Sequence, residues 1–312
     1  MARPTLSIVI PFLNEEAVIP ELDKRLRAML KTLDVSWEVV FVDDGSTDSS
    51  LSRVQALSAS EPRYKVLSLS RNFGHQVAVT AGLDHAAGEA VVVMDADLQD
   101  PPEIVAEMLA KFREGFDVVY AVRTKREGEG VFKRATAAVF YRLMRMMVGI
   151  DLPVDAGDFR LTSRRVVLAL RALRETHRFV RGFVVWVGFK QTSVRYVRPG
   201  RFAGETKYPL ARMLRFAIDG ITSFSGAPLK LATYVGLATS LLAFVAALWV
   251  LGKALVFGDP VRGYPSLMVV VLFLGGMQLM ALGVIGEYLG RLYVEAKQRP
   301  LYLVDEYHPP RG

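Results

Sequence analysis

From residue 6 to residue 122 the chain alternates short apolar runs with stretches of helical spacing. Residues 6–10, 37–42, 66–69, 91–94 and 118–122 read as strands, and 15–33 as the first of the helices between them. The run at 91–94 is continuously apolar, which suits a strand buried on both faces. Such β-α-β-α alternation predicts a mostly parallel sheet with helices on both sides. Farther on, 156–161 reads as a polar corner ahead of another helix, and 192–197 as one more strand.

The pattern then changes. Residues 131–148 have helical spacing with Arg134, Arg142 and Arg145 on one face. That suits either a helix lying on a membrane surface or a domain helix with a solvated stripe. Residues 198–208, rich in glycine and cations, read as a mobile loop carrying Arg201 and Lys207. Residues 210–224 read as a second interfacial helix. Residues 231–251 and 264–286 contain no charged side chain, and each is long enough to cross a hydrocarbon core of about 30 Å. They predict a membrane hairpin. Arg212, Arg215 and Lys230 precede it, and Arg291, Lys297 and Arg299 follow, so the positive-inside rule puts both termini in the cytoplasm. The expected organisation is a catalytic domain at 1–208, a juxtamembrane helix at 209–228, two spans within 229–290 and a tail at 291–312.

Composition sharpens this picture at three points. A hydrophobic share of 51% and a mean hydropathy of +0.26 are high for a soluble enzyme and agree with a membrane part. The net charge of +7 would serve nucleic acid, an anionic membrane or a phosphorylated substrate. The clustering of cations beside the spans favours the membrane, and nucleic acid is not expected as a partner. The absence of cysteine excludes disulfides and thiolate metal sites, and the four histidines lack HExxH spacing. Neither a GxGxxG nor a Walker A run is present. The N-terminal stretch does not read as a secretory signal.

The candidate chemistry falls at successive strand ends, where ligands sit in parallel sheets. Pro11-Phe12-Leu13-Asn14-Glu15-Glu16 follows the first strand, Asp43-Asp44-Gly45-Ser46 the second, Arg71-Asn72-Phe73-Gly74 the third and Asp95-Ala96-Asp97-Leu98-Gln99 the fourth. Period-two alternation puts Asp95 and Asp97 on one side of an extended chain, with Gln99 within reach. Two carboxylates and an amide oxygen suit Mg²⁺ or Mn²⁺, most naturally while the ion also holds phosphate oxygens. Taken singly each cluster is an ordinary turn or helix cap; four in register favour a nucleotide–metal site.

On the stretches IVIPFLNEE, FVDDGSTDSS, LSRNFGHQVAVTAGLDHAAG, VMDADLQDPPE, AGDFRLTSRR and RFAGETKYPL, the chain resembles family-2 glycosyltransferases of the GT-A fold. Within them it is similar to the polyprenyl-phosphate branch related to dolichol-phosphate mannose synthase. The resemblance implies inverting transfer of a sugar from a nucleoside-diphosphate donor, UDP-glucose above others, to a polyprenyl monophosphate. It also implies a bacterial plasma-membrane location, a homotetramer, and a Mg²⁺ or Mn²⁺ cofactor held by Asp95, Asp97 and Gln99. Nucleotide-sugar positions would be Pro11, Asn14, Glu15, Asp43, Asp44, Arg71, Asp95 and Ala96. Lipid-phosphate positions would be Arg123, Arg134, Arg201 and Lys207, and the catalytic set Asp158, Asp97 and Arg201. A phosphate monoester is already anionic, so Asp158 is expected to orient rather than to act as an obligatory base. GDP-mannose or aminoarabinose donors fit the same skeleton. A processive polysaccharide synthase would carry a QxxRW motif and more spans, which are missing here, and a membrane scaffold would not need the complete ligand set.

Overall fold

A computed structural model of the chain describes residues 3–123, 156–197, 226–257 and 263–309. They fall into two compact units, one holding the sheet, its helices and the stretch from Pro300 onward, the other ending at Arg299. The stretches 131–148 and 210–224, expected as interfacial helices, lie outside the described residues.

In the first unit, β1 (Leu6–Phe12), β2 (Trp37–Asp43), β3 (Tyr64–Leu69), β4 (Ala90–Val93) and β5 (Val118–Arg123) alternate with α1 (Ile19–Thr32), α2 (Ser50–Ser60), α3 (His75–His85) and α4 (Ile104–Arg113). The five predicted strands are all present. Helix α1 starts later than its spacing predicts. The backbone N–H groups of Asn14, Glu15 and Glu16 donate instead to Ser46, Ser50 and Asp48, which holds this stretch as a turn. Helix α1 has no side-chain N-cap bond, a lack worth about 1 kcal/mol. Its buried Ile19, Leu22, Leu26, Met29 and Leu30 outweigh that at roughly 2 kcal/mol each.

Strand β1 is central, parallel to β2 (Leu6 opposite Trp37) and to β4 (Leu6 opposite Ala90), and every position in it is buried. Its two faces separate by period two. Leu6, Ile8, Ile10 and Phe12 join the apolar faces of α1 and α4 in one core. Val9 faces α3, where a Cβ at Gly82 would stand 2.2 Å from Val9 Cγ1. Only glycine lets that helix approach so closely.

The chain continues with β6 (Ala156–Ser163), α5 (Arg164–Ala172), α6 (Val180–Trp186) and β7 (Gln191–Tyr196). The polar corner expected at 156–161 is therefore a strand, antiparallel to both β4 (Val93 opposite Arg160) and β5 (Tyr120 opposite Arg160). Phe159 and Leu161 are buried as in any strand, and Asp158 and Arg160 are buried with them because they pair with each other. Mutual neutralisation admits residues that a polar pattern assigns to the surface. With a last strand β8 (Val304–His308) at one edge, the sheet order is β7-β5-β6-β4-β1-β2-β3-β8, mostly parallel as predicted, with β6 and β8 running the other way.

That last strand lies in the stretch expected to be only a tail. It pairs antiparallel with β3, and it is exposed throughout, so no apolar pattern marks it. Its approach is fixed by two bonds: Ser70 N–H donates to the Leu303 carbonyl at 3.0 Å, and the Tyr302 hydroxyl donates to Asp84 at 3.0 Å.

The second unit contains α7 (Ala227–Phe257) and α8 (Tyr264–Ala296). Both are long and apolar enough to cross a membrane, over Pro228–Ala246 and Phe273–Ala296. Leu231, Leu237, Leu241, Leu242 and Phe244 are exposed, an apolar surface suited to lipid rather than water. Helix α8 runs on past its uncharged stretch, and there Arg291 donates to Glu287 one turn back at 3.0 Å.

Candidate active site

The loops after β1, β2 and β3 lace together before they offer anything to a ligand. Asn14, at φ 55, accepts through Oδ1 from Thr47 N–H at 2.8 Å. Asp43 accepts from Ser46 N–H and the Ser68 hydroxyl. Asp44 accepts from Phe73 N–H at 2.8 Å and Gly74 N–H at 3.0 Å. Burial pushes the Asp44 carboxyl up from its usual range, and these two backbone donors pull it partly back. Gly45, at φ 78, lies against the Arg71–Asn72 peptide, where a Cβ would come within 2.7 Å. The expected nucleotide contacts thus share a rim, and Asp43 and Asp44 also build it. Pro11 is a buried strand residue, Glu15 is half-buried, and Arg71 covers the Phe73 ring at 4.0 Å.

The loop after β4 keeps the strand's alternation. Ala96 and Leu98 are buried in the core, while Asp95, Asp97 and Gln99 are half-buried on the other side. Ala96, expected at the nucleotide, therefore points its side chain into the core and can offer a ligand only its backbone. Leu98 sits at φ 59, a strained value for a branched residue, and Gln99 N–H donates to Asp97 Oδ1 at 3.1 Å to close the turn. Asp95 Oδ1 is buried without a hydrogen-bond partner. Burial pushes the Asp95 carboxyl up to about 7; His75 opposes this, and the charges of Asp100, Asp158 and Asp97 add to it. A buried carboxylate oxygen with no hydrogen bond, and with His75 Nε2 near it at 3.5 Å, is one that a divalent cation would satisfy. Among the described residues no three His, Asp or Glu side chains form a cage.

Continuing the β4–β6 register beyond Val93 brings Asp158 level with Asp95. Asp158 is 5% exposed and its oxygens are heavily engaged. Arg160 donates to it at 3.0 Å, Arg181 at 2.9 and 3.1 Å, and Gln76 at 3.2 Å. His75 Nε2 stands 3.5 Å from both Asp158 Oδ2 and Asp95 Oδ1. Burial alone would raise the Asp158 carboxyl, but His75, Arg181 and Arg160 overcome it and hold the group well below the carboxylate range. Conversely His75 is raised, because Asp158 and Asp95 outweigh the burial that disfavours its charge. Gln76 also accepts from Val180 N–H at 3.1 Å, which docks the start of α6 and so aims Arg181.

Arg123 ends β5 beside Tyr196, the last residue of β7. Arg134, Arg201 and Lys207 lie outside the described residues. The structure thus gathers Asp95, Asp97, Gln99, Arg123 and Asp158 at one end of the strands, next to the nucleotide rim. His75, Gln76, Arg160, Arg181, Asp100 and Tyr196 were not anticipated from the sequence. Four of these six lie within quoted stretches, but nothing local marks their partners, most of them far off in the chain.

Residues 7–170 match the family Glycosyl transferase family 2, and residues 227–292 match the GtrB C-terminal hairpin. The chain is similar to the uncharacterized glycosyltransferase YkcC of Bacillus subtilis, 53% identical over 96% of this chain and 93% of that one. It is also similar to the SfII prophage-derived bactoprenol glucosyl transferase of Shigella flexneri, 44% identical over 97% of this chain and 98% of the relative. Among solved structures, glucosyl-3-phosphoglycerate synthase from Mycobacterium tuberculosis superposes with a TM-score of 0.49 at 22% identity, covering 70% of this chain and 76% of that one.

Proposed function

Because the chain belongs to glycosyl transferase family 2, we propose that it transfers glucose from UDP-glucose to a polyprenyl monophosphate, with inversion. The observation that carries this reading is the match to a bactoprenol glucosyl transferase over 97% of the chain, catalytic unit and hairpin together. The geometry supports it. The attacking phosphate needs no strong base, so the site has to bring two anions together and neutralise the leaving diphosphate. Asp95 and Asp97, with Gln99, would hold Mg²⁺ or Mn²⁺, which when bound supplies Lewis-acid neutralisation of that diphosphate. The rim from Pro11 to Glu15, with Asp43, Asp44 and Arg71, forms the nucleotide side. Arg123, joined by Arg134, Arg201 and Lys207, receives the lipid phosphate, for which a guanidinium fork is suited. Asp158 orients His75 and Arg181 and takes no proton at neutral pH. Membranes offered labelled nucleotide sugars with undecaprenyl phosphate should yield lipid-extractable label from UDP-glucose. Label from GDP-mannose alone would reassign the donor, and none from any donor would end the enzyme reading.

The hairpin would hold the enzyme at the bilayer where its acceptor resides. Strand β7 ends at Tyr196 ahead of the hairpin, and β8, beyond it, pairs with β3 in the same sheet. A sheet that draws on chain from both ends of the hairpin favours both ends on one side, and the flanking cations favour the cytoplasmic side. Truncation after 228 would remove β8 along with the spans, so a cleaner variant replaces 227–299 with a soluble linker and keeps 300–312. Turnover of long-chain lipid should fall by about 100-fold as local concentration is lost, with turnover of a short, soluble polyprenyl phosphate nearly retained. Equal losses on both acceptors would count against the anchoring role.

A further inference from the structure

Strand β7 contributes nothing to the motifs of the sequence, yet its last residue ties two parts of the site together. Tyr196 is 4% exposed, and its ring meets Phe159 edge-on at 5.9 Å. Its hydroxyl donates to Asp100 Oδ1 at 2.8 Å and lies 3.4 Å from Arg123 Nε, which donates to it. Asp100 is 3% exposed and belongs to the loop that carries Asp95 and Asp97. On its other side the Arg123 guanidinium lies against Gly157, where a Cβ would come within 3.1 Å of Nη2.

We propose that Tyr196 is a positioning residue, whose hydroxyl aims the Arg123 guanidinium at the acceptor phosphate and links it to the acidic loop after β4. A hydroxyl can accept from a guanidinium and donate to a carboxylate at once. Direct pairing of Arg123 with Asp100 would set a carboxylate against the phosphate for the same fork; the interposed hydroxyl gives each a partner and keeps the cation available to the substrate. Burial, followed by the Asp100 charge, pushes the Tyr196 hydroxyl up to about 12, so it stays protonated and keeps donating. Gly157 leaves the space the guanidinium occupies. The role rests on the assignment of Arg123 to the lipid phosphate.

The test uses the full chain in membranes and measures KM separately for undecaprenyl phosphate and for UDP-glucose. Tyr196→Phe should raise the acceptor KM about ten-fold, the scale of one hydrogen bond to a charged group, with the donor KM unchanged. Combined with Arg123→Ala it should add nothing further, since the two act as one unit. Asp100→Asn keeps an oxygen acceptor and should shift the acceptor KM in the same direction by less; it carries the test if Tyr196→Phe fails to accumulate. If Arg123→Ala raises the acceptor KM while Tyr196→Phe does not, or if the two losses add, the relay is overturned and the Arg123 assignment stands. If Arg123→Ala leaves the acceptor KM unmoved, both fall.

Discussion

Asp95→Asn will lower glucosyl transfer by about 10³-fold, the scale of several kcal/mol of lost charge neutralisation on the leaving group. The folded protein should become more stable at the same time. The Asp95 carboxyl is raised in the native state to about 7, above its unfolded value near 4. Between those values the folded state holds more protons than the unfolded one, so metal-free stability declines as pH rises through the window. Asparagine removes that burden and should flatten this slope, with a higher Tm at pH 8. Lost activity with a raised Tm separates a functional carboxylate from a structural one, since a structural residue would lose both. In the parent enzyme a chelator should abolish turnover, Mg²⁺ or Mn²⁺ should restore it, and apparent metal affinity should weaken below pH 7 as protons compete. An Asp95→Asn enzyme with a tenth or more of parental turnover, or a lowered Tm, would remove the carboxylate from this role.

Asp158→Asn moves stability the other way. Its carboxylate sits between Arg160, which is 1% exposed, and Arg181. Removing one partner of a buried pair typically costs about 3–5 kcal/mol, because the remaining charge is stranded. In a domain of this size that lowers Tm by roughly 10 °C. The native carboxyl is depressed, so its contribution is full above the unfolded value near 4 and is lost as pH falls through the native one. The variant should lack that acid-side loss. Turnover should fall about 100-fold, through the freed Arg181 and His75, while metal affinity changes little. The parent pH–rate profile should show no limb from this group near neutrality. Near-normal turnover in Asp158→Asn with parental metal affinity would refute the orienting role.

These two carboxylates also show how far the chain could be read unaided. The placement of Asp95, Asp97 and Gln99 opposite Ala96 and Leu98 follows from the two-residue repeat of an extended backbone, which any short window reveals. The same holds for β1 to β5 and for the two apolar helices, since each signal lies within its own segment. The stretch at 156–161 misled because Asp158 and Arg160 are polar by type and buried by partnership, and the partnership extends to Arg181 and Gln76 on other elements. Strand β8 carries no apolar signal; it forms because β3 offers an edge that Leu303 to His308 can pair with.

The alternation of β1 to β5 with the helices between them, the acidic loop, the hairpin and the family are all legible in the sequence, because period, length and motif are local properties, whereas β6 and β8 are not. What only tertiary structure decided was the company each charge keeps: which carboxylate is left with an unsatisfied oxygen, which is saturated by arginines, and which arginine is steered by a tyrosine. Those outcomes depend on burial and on groups that only folding brings within 3.5 Å, and a charge changes its energy, and with it its chemistry, according to what lies that close.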